Sequence, residues 1–468
     1  MDHQAVSSAI SVKRPGIRDE FLIVAVAVSL TVAACLNLIV LSLVLAVAVL
    51  FLASIRFKPL LLIVIFFLPF TLYLNWDFPI KDLGTLVRLC LFAGMLISHL
   101  IYKESIRQWL FSGRLTWAIL GYLFIATLSA TVFNRLTLDA ERELMRLASY
   151  VCFYYAIAGW IKREEEFIVL FKTLMVSTIM VALFGFYQFL IGDYSALYGA
   201  LYPIQDELLK IPPWSGRITS FLSHYNALAG YLNLIIPFCI GFALRAQDKV
   251  LRTLSGWCLA FAGVALLLTQ SRGGLLACVA ILVLSAYFFA PSRKAGIQRM
   301  AIASACAVLA ALLVGLLFQR LSQIDDYTTV SRLAVWAGAA SVFAGAPLTG
   351  MGFGNLRAFM GGLVGLPEGW VGDAHNLYLE LLAETGVLGF IAFAFLVITS
   401  LRMALAQRRL FQGDFDKVIG FAVFAAICGV LVHGTVDYIF HTTPQATALL
   451  FMVLGLLKAN DLRRQNAA

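Results

Sequence analysis

Charge is scarce in this chain: Lys, Arg, Asp and Glu make up 13% of its 468 residues, while 61% are hydrophobic. A soluble globular domain carries roughly a quarter charged residues, so a water-exposed fold is excluded. Paired cysteines are missing too. All eight cysteines, Cys35, Cys90, Cys152, Cys239, Cys258, Cys278, Cys306 and Cys428, lie inside apolar runs without metal-ligand spacing. Neither a disulfide framework nor a zinc site is indicated. A phosphate-binding P-loop, a glycine-rich dinucleotide turn and a nucleophile elbow are equally absent, which disfavours a nucleotide-fuelled enzyme. The net charge of +9 comes from basic residues scattered singly between apolar runs. Such a pattern speaks of membrane topology and not of nucleic acid.

Long hydrophobic stretches dominate instead, with a mean hydropathy of +0.89. Runs able to cross a ~30 Å hydrocarbon core as helices fall at 21–36, 38–54, 59–76, 84–101, 116–132, 144–161, 167–191, 224–244, 254–270, 273–290, 299–318, 376–401, 418–436 and 444–458. The reading is an all-α, polytopic integral membrane protein with about 12–14 transmembrane helices and a large outer loop containing short helices. A lipoprotein-like box, Val32-Ala33-Ala34-Cys35, sits in an apolar run that continues to Ser54. That length reads as two joined spans and not as a removable leader.

Three segments follow: a helical bundle over 1–318 with an outer loop at 192–223, a large outer loop at 319–375, and C-terminal spans at 376–468. With the N-terminus inside, the inner connections hold 23 of the 35 Lys and Arg and the outer ones 10, Arg88 and Lys172 lying within spans. This bias fixes the orientation with both termini cytoplasmic.

Arginines that persist on the outer face require an explanation, and an anionic ligand at the outer leaflet supplies one. Arg272 sits in Thr269-Gln270-Ser271-Arg272-Gly273-Gly274, a turn of a few residues between two apolar helices. A guanidinium held there lies at headgroup depth, where its planar fork can grip phosphate oxygens; the alternative is a snorkelling anchor. Arg217, in Trp214-Ser215-Gly216-Arg217, precedes a span opening at His224-Tyr225-Asn226. Ser223 is placed to cap that helix. Arg332 heads an amphipathic segment of the large loop, and Arg88 lies one turn inside its span. An isolated charge at that depth is costly unless it is paired or faces a polar cavity.

His375 opens Asp373-Ala374-His375-Asn376, where the large loop returns to the membrane. Alone it is an interfacial residue; facing several arginines it becomes a candidate general base. Glu380 and Glu384 continue one helical face, and Glu384 reads as a brace to another span. His433, Asp437 and His441 cluster where they could line the same cavity or simply cap an interface. The Asp325-Asp326 pair and Asp414-Phe415-Asp416 have the look of metal-binding carboxylates; the first reads as a solvated loop start, the second falls on the inner side.

The ordered set Gly216-Arg217 with Asn226, Ser271-Arg272-Gly273, Ser331-Arg332 with Trp336, Gly350 to Gly354, and His375-Asn376 with Glu384, Gly386 and Gly389 resembles the O-antigen ligase family, which includes polysaccharide polymerases. The resemblance spans roughly 210–395. It implies a glycosyltransferase of the bacterial cytoplasmic (inner) membrane, its active site facing the periplasm. Such an enzyme moves a glycan from undecaprenyl diphosphate to a hydroxyl of a glycan, lipid or protein acceptor, without nucleotide, metal or other cofactor. Carried over by motif, Arg217, Arg272 and Arg332 bind the diphosphate or act in catalysis, and His375 is the loop histidine; Arg88 joins them on the burial argument alone. A polymerase would differ only in its acceptor. A transporter or flippase is the competing class, although transporters place polar sites near the midplane, where this chain is nearly charge-free.

Overall fold

The computed structural model describes residues 39–55, 58–70, 82–102, 110–133, 136–192, 216–222, 224–289, 326–357, 359–360, 373–410, 413–438 and 443–465. Among the described residues the chain is all-helical. Its thirteen helices are α1 (Ile39–Ser54), α2 (Lys58–Phe66), α3 (Leu83–Ile101), α4 (Arg114–Thr131), α5 (Leu138–Trp160), α6 (Glu164–Ile191), α7 (Tyr225–Arg245), α8 (Lys249–Thr269), α9 (Arg272–Phe289), α10 (Asp326–Gly345), α11 (Leu377–Leu410), α12 (Asp414–His433) and α13 (Pro444–Gln465). Nine of these, α3, α4, α6, α7, α8, α9, α11, α12 and α13, are long and apolar enough to cross a membrane. The expected spans at 21–36 and 299–318 lie outside the described residues, as do Asp325 and His441.

Helix starts follow side-chain chemistry. Asp82 caps α3 by accepting the Thr85 N–H at 2.7 Å, and Asp248 caps α8 by accepting that of Leu251 at 2.6 Å. Both satisfy donors that the first helical turn leaves open. In the bundle α7 is central, packed against α8, α9, α12 and α13, while α11 lies between α4 and α12. Small residues permit this closeness. On the rim, Trp257, Val264, Leu276, Val283 and Tyr287 of α8 and α9 are exposed, as side chains solvated by lipid should be.

The two ends of the bundle differ. At one, Lys458 reaches the Ser112 carbonyl at 2.8 Å, and Arg463 pairs with Glu164 at 3.0 Å and with Asp416, which also meets Arg464. Asp416 is fully buried. Its carboxylate is therefore committed to closing this end and is not free to serve as a cation ligand.

At the opposite end α11 is broken. Gly386 has φ 63 inside it, and the segment Pro347–Leu356 docks onto the break through Met351 N–H to Ala383 O (2.9 Å), Gly352 N–H to Glu384 O (2.9 Å) and Val387 N–H to Pro347 O (2.8 Å). The two backbones nearly touch. A Cβ on Gly350 would lie 2.3 Å from the Glu384 carbonyl carbon, and one on Gly386 would lie 2.4 Å from that of Leu348. Glu384 accepts the Leu356 N–H at 3.3 Å, so it braces this glycine loop and not a neighbouring span through its carboxylate.

Candidate functional site

The site grows from the elbow between α8 and α9. Gln270 ends α8 in the left-handed region at φ 51, and the Ser271 hydroxyl then accepts the Gly274 N–H at 3.1 Å while donating to Asn226 Oδ1 at 2.6 Å. Asn233 Nδ2 donates to the Gly274 carbonyl at 2.8 Å. Gly273 abuts His433, where a Cβ would fall 2.6 Å from its Cδ2. A serine that caps, an arginine that is exposed and two glycines that let α7 and α12 close in explain Ser271-Arg272-Gly273-Gly274 physically.

Arg217 is brought to the same place. Its strand of backbone lies along the end of α8, with Ile218 N–H to Leu268 O at 3.3 Å and Gln270 Nε2 to Gly216 O at 3.1 Å. Its guanidinium stands 4.5 Å over the Tyr225 ring, a cation–π contact. Arg332, half-buried on α10, is close enough that its charge acts on Arg272, as does that of Arg217. Among the described residues no carboxylate lies within ion-pair distance of Arg217, Arg272 or Arg332.

His224 is the residue sequence reasoning did not single out. It caps α7 with its ring, Nδ1 accepting the Asn226 N–H at 3.2 Å, which places the proton of the neutral imidazole on Nε2. Ser223, the expected cap, lies outside the described residues. Burial first, then the charges of His375, Arg217 and Arg332, hold His224 down at about 4 against the pull of Asp437. At neutral pH it is an uncharged donor.

His375 sits at the mouth of α11 with φ 47, its own N–H accepted by Asp373 Oδ1 at 2.7 Å. Its ring Nδ1 lies 3.2 Å from Asp437 Oδ1 and 3.3 Å from Asp373 Oδ1. Asn376 beside it caps α11, accepting from Tyr378 and Leu379 N–H, and the backbone is pinned to α12 by Leu377 N–H to Gly434 O at 2.8 Å. Asp373 foremost raises the imidazole to about 9; burial opposes this, and Asp437 adds to the rise through its hydrogen bond and charge, while Arg332 works against it. Burial pushes the Asp437 carboxyl up, but the bond and charge of His375, with His433 and His224, leave it below the usual carboxylate range. Asp373 goes the other way: burial raises it, His375 notwithstanding.

Arg217, Arg272, Arg332, His375, Asp437 and His224 thus gather at one end. Arg88 does not join them. It is 2% exposed, 3.6 Å from Asp82, bonded to Ser149 (3.1 Å) and Thr85 (3.0 Å), and lies over the Tyr150 ring. Of the two ways to tolerate a buried charge, pairing is the one adopted. The ligand atoms of Asp373, His375 and Asp437 all lie within 4.8 Å of one another, a donor set that a divalent cation could use in place of the imidazole proton.

No curated protein matches the chain. Residues 257–394, from α8 through the Arg272 elbow, the glycine loop and His375 to the broken helix, match the family model described as O-antigen ligase, so this segment of the chain is similar to that family.

Proposed function

We propose that the protein transfers an O-antigen or related surface glycan from a polyprenyl diphosphate, undecaprenyl diphosphate in bacteria, to an acceptor hydroxyl on the outer face of the cytoplasmic membrane. The single observation that carries this reading is three arginines converging at one end of the bundle with no carboxylate within ion-pair distance of any of them among the described residues. Such a cluster is unfavourable until an anion with several oxygens arrives. A glycosyl diphosphate fits, because its leaving group departs with growing negative charge, and fixed guanidinium groups then stabilise the transition state more than the ground state.

The roles follow. Arg217, Arg272 and Arg332 hold the diphosphate. His375, bracketed by two carboxylates, is an imidazolium in the resting site, and an incoming dianion secures its proton further; it faces the departing oxygens as a fourth cation. This revises the expected general base. The acceptor oxygen forms its bond to the anomeric carbon as the carbon–oxygen bond to the diphosphate breaks, and the configuration inverts. The hydroxyl proton passes to Asp373, the more basic carboxylate of the bracket. Arg88 has a structural role.

Purified protein mixed with carrier-linked glycan and a panel of acceptors, with and without EDTA, tests the proposal. A new glycoconjugate, formed equally in EDTA, is expected. A longer carrier-linked chain instead would name a polymerase, dependence on a divalent ion would assign Asp373, His375 and Asp437 to a metal, and no transfer to any acceptor would refute the reading.

A further inference from the structure

Beneath the Arg272 elbow lies a small cavity between α7, α12 and α13, with about 20 Å³ of space for the centres of water molecules. Two side chains that the mechanism does not use line it. His433 is 1% exposed and Asn233 3% exposed, and among the described residues neither ring nitrogen of His433 nor Oδ1 of Asn233 has a hydrogen-bond partner. The amide orientation of Asn233 is set by its Nδ2 bond to the Gly274 carbonyl, so it is the oxygen that is left over. Most of the remaining lining is apolar, including Gly230, Leu234, Val430 and Leu450.

Buried polar atoms in this number require a partner. The cavity exceeds the ~10–15 Å³ that one water needs and is too small for an organic ligand. Water also finds enough contacts: the His433 ring, Asn233 Oδ1 and the hydroxyl oxygen of Thr447, which lines the same space and donates to the Thr443 carbonyl at 3.1 Å.

We propose that His433 and Asn233 form an internal water-binding site whose bound water fixes the turn that carries Arg272. The connection is direct. His433 packs on Gly273 and Asn233 holds the Gly274 carbonyl, so the two residues that follow Arg272 are each gripped by one member of the site. A water joining them locks α7, α9 and α12 at that height. His433 and Asn233 are then positioning residues, and this part of the inference rests on the diphosphate-binding reading of Arg272.

The test compares His433→Phe, which keeps a ring of similar volume against Gly273 but cannot bond water, with His433→Gln, which can. Transfer should fall about ten- to a hundred-fold in His433→Phe, the cost of a guanidinium displaced by about an ångström, with unfolding temperature unchanged; His433→Gln should stay near the unmodified protein. A water-resolving cryo-electron microscopy map of the unmodified chain should hold density between His433 and Asn233. Missing density, or full activity in His433→Phe, overturns the proposal, and if that variant fails to fold the map decides. Density present in a chain that transfers no glycan would keep the water site and remove the role for Arg272.

Discussion

Arg88 and Arg272 bear the same guanidinium, and the neighbours of each decide what its removal costs. Arg88 balances Asp82 inside the protein, so Arg88→Met strands a buried carboxylate. We expect a loss of about 3 kcal/mol, at the lower end for a broken buried pair because Arg146 remains 3.5 Å from Asp82. Thermal unfolding in detergent should register it, with turnover of the folded fraction preserved. Arg272 is exposed and has no carboxylate within ion-pair distance among the described residues, so Arg272→Ala should leave stability unchanged and lower transfer by about 10²–10³-fold. Arg272→Lys should recover little, since an ammonium cannot bind two phosphate oxygens in one plane. His375 gives a pH signature of definite sign. Its imidazole is raised to about 9, chiefly by Asp373, so the charged form and the stability it confers are complete at low pH and are lost as pH rises through about 9. Transfer rates should fall through that range. A rate that climbs toward pH 9 would instead make His375 the base.

Elements show how far short motifs depend on backbone contact. The break in α11 exists because the glycine loop has to lie against it, and Gly386 is held at φ 63 with no room for a Cβ beside Leu348. Gly386→Ala meets strain and collision together, with an expected cost of about 1–3 kcal/mol and loss of transfer, because the loop connects α10, which bears Arg332, to the rest of the bundle. Limited proteolysis near Gly350 would report the undocking. The elbow of α8 and α9 obeys the same logic: Gly273 is small because His433 is beside it. Neither partner could be named from the spacing of residues in the chain, since each contact joins segments far apart in sequence.

The whole molecule is polar in the sense of a magnet. Arg463, Arg464, Asp416, Glu164 and Lys458 close one end, while Arg217, Arg272, Arg332, His224 and His375 occupy the other. In the orientation we propose from the charge bias, the first end faces the cytoplasm. Single cysteines introduced at Arg464 and Asn376 should therefore label from opposite sides of intact cells, Asn376→Cys by an impermeant thiol reagent and Arg464→Cys only after permeabilisation. Labelling of both from one side would contradict the orientation.

Low charge and long apolar runs by themselves determined that this is a helical membrane protein, since no other regular structure satisfies its backbone in a hydrocarbon core built from such segments. They also exposed Arg217, Arg272, Arg332 and His375, because polar residues against an apolar background stand out one at a time. Only the tertiary structure decided which of them share a site. Arg88 differs from Arg272 not in type but in having Asp82 within reach, and His375 meets, beside its sequence neighbour Asp373, the carboxylate of Asp437 sixty-two residues away. Charge state and partnership are properties of distances between segments, and a linear chain contains no such distances until it folds.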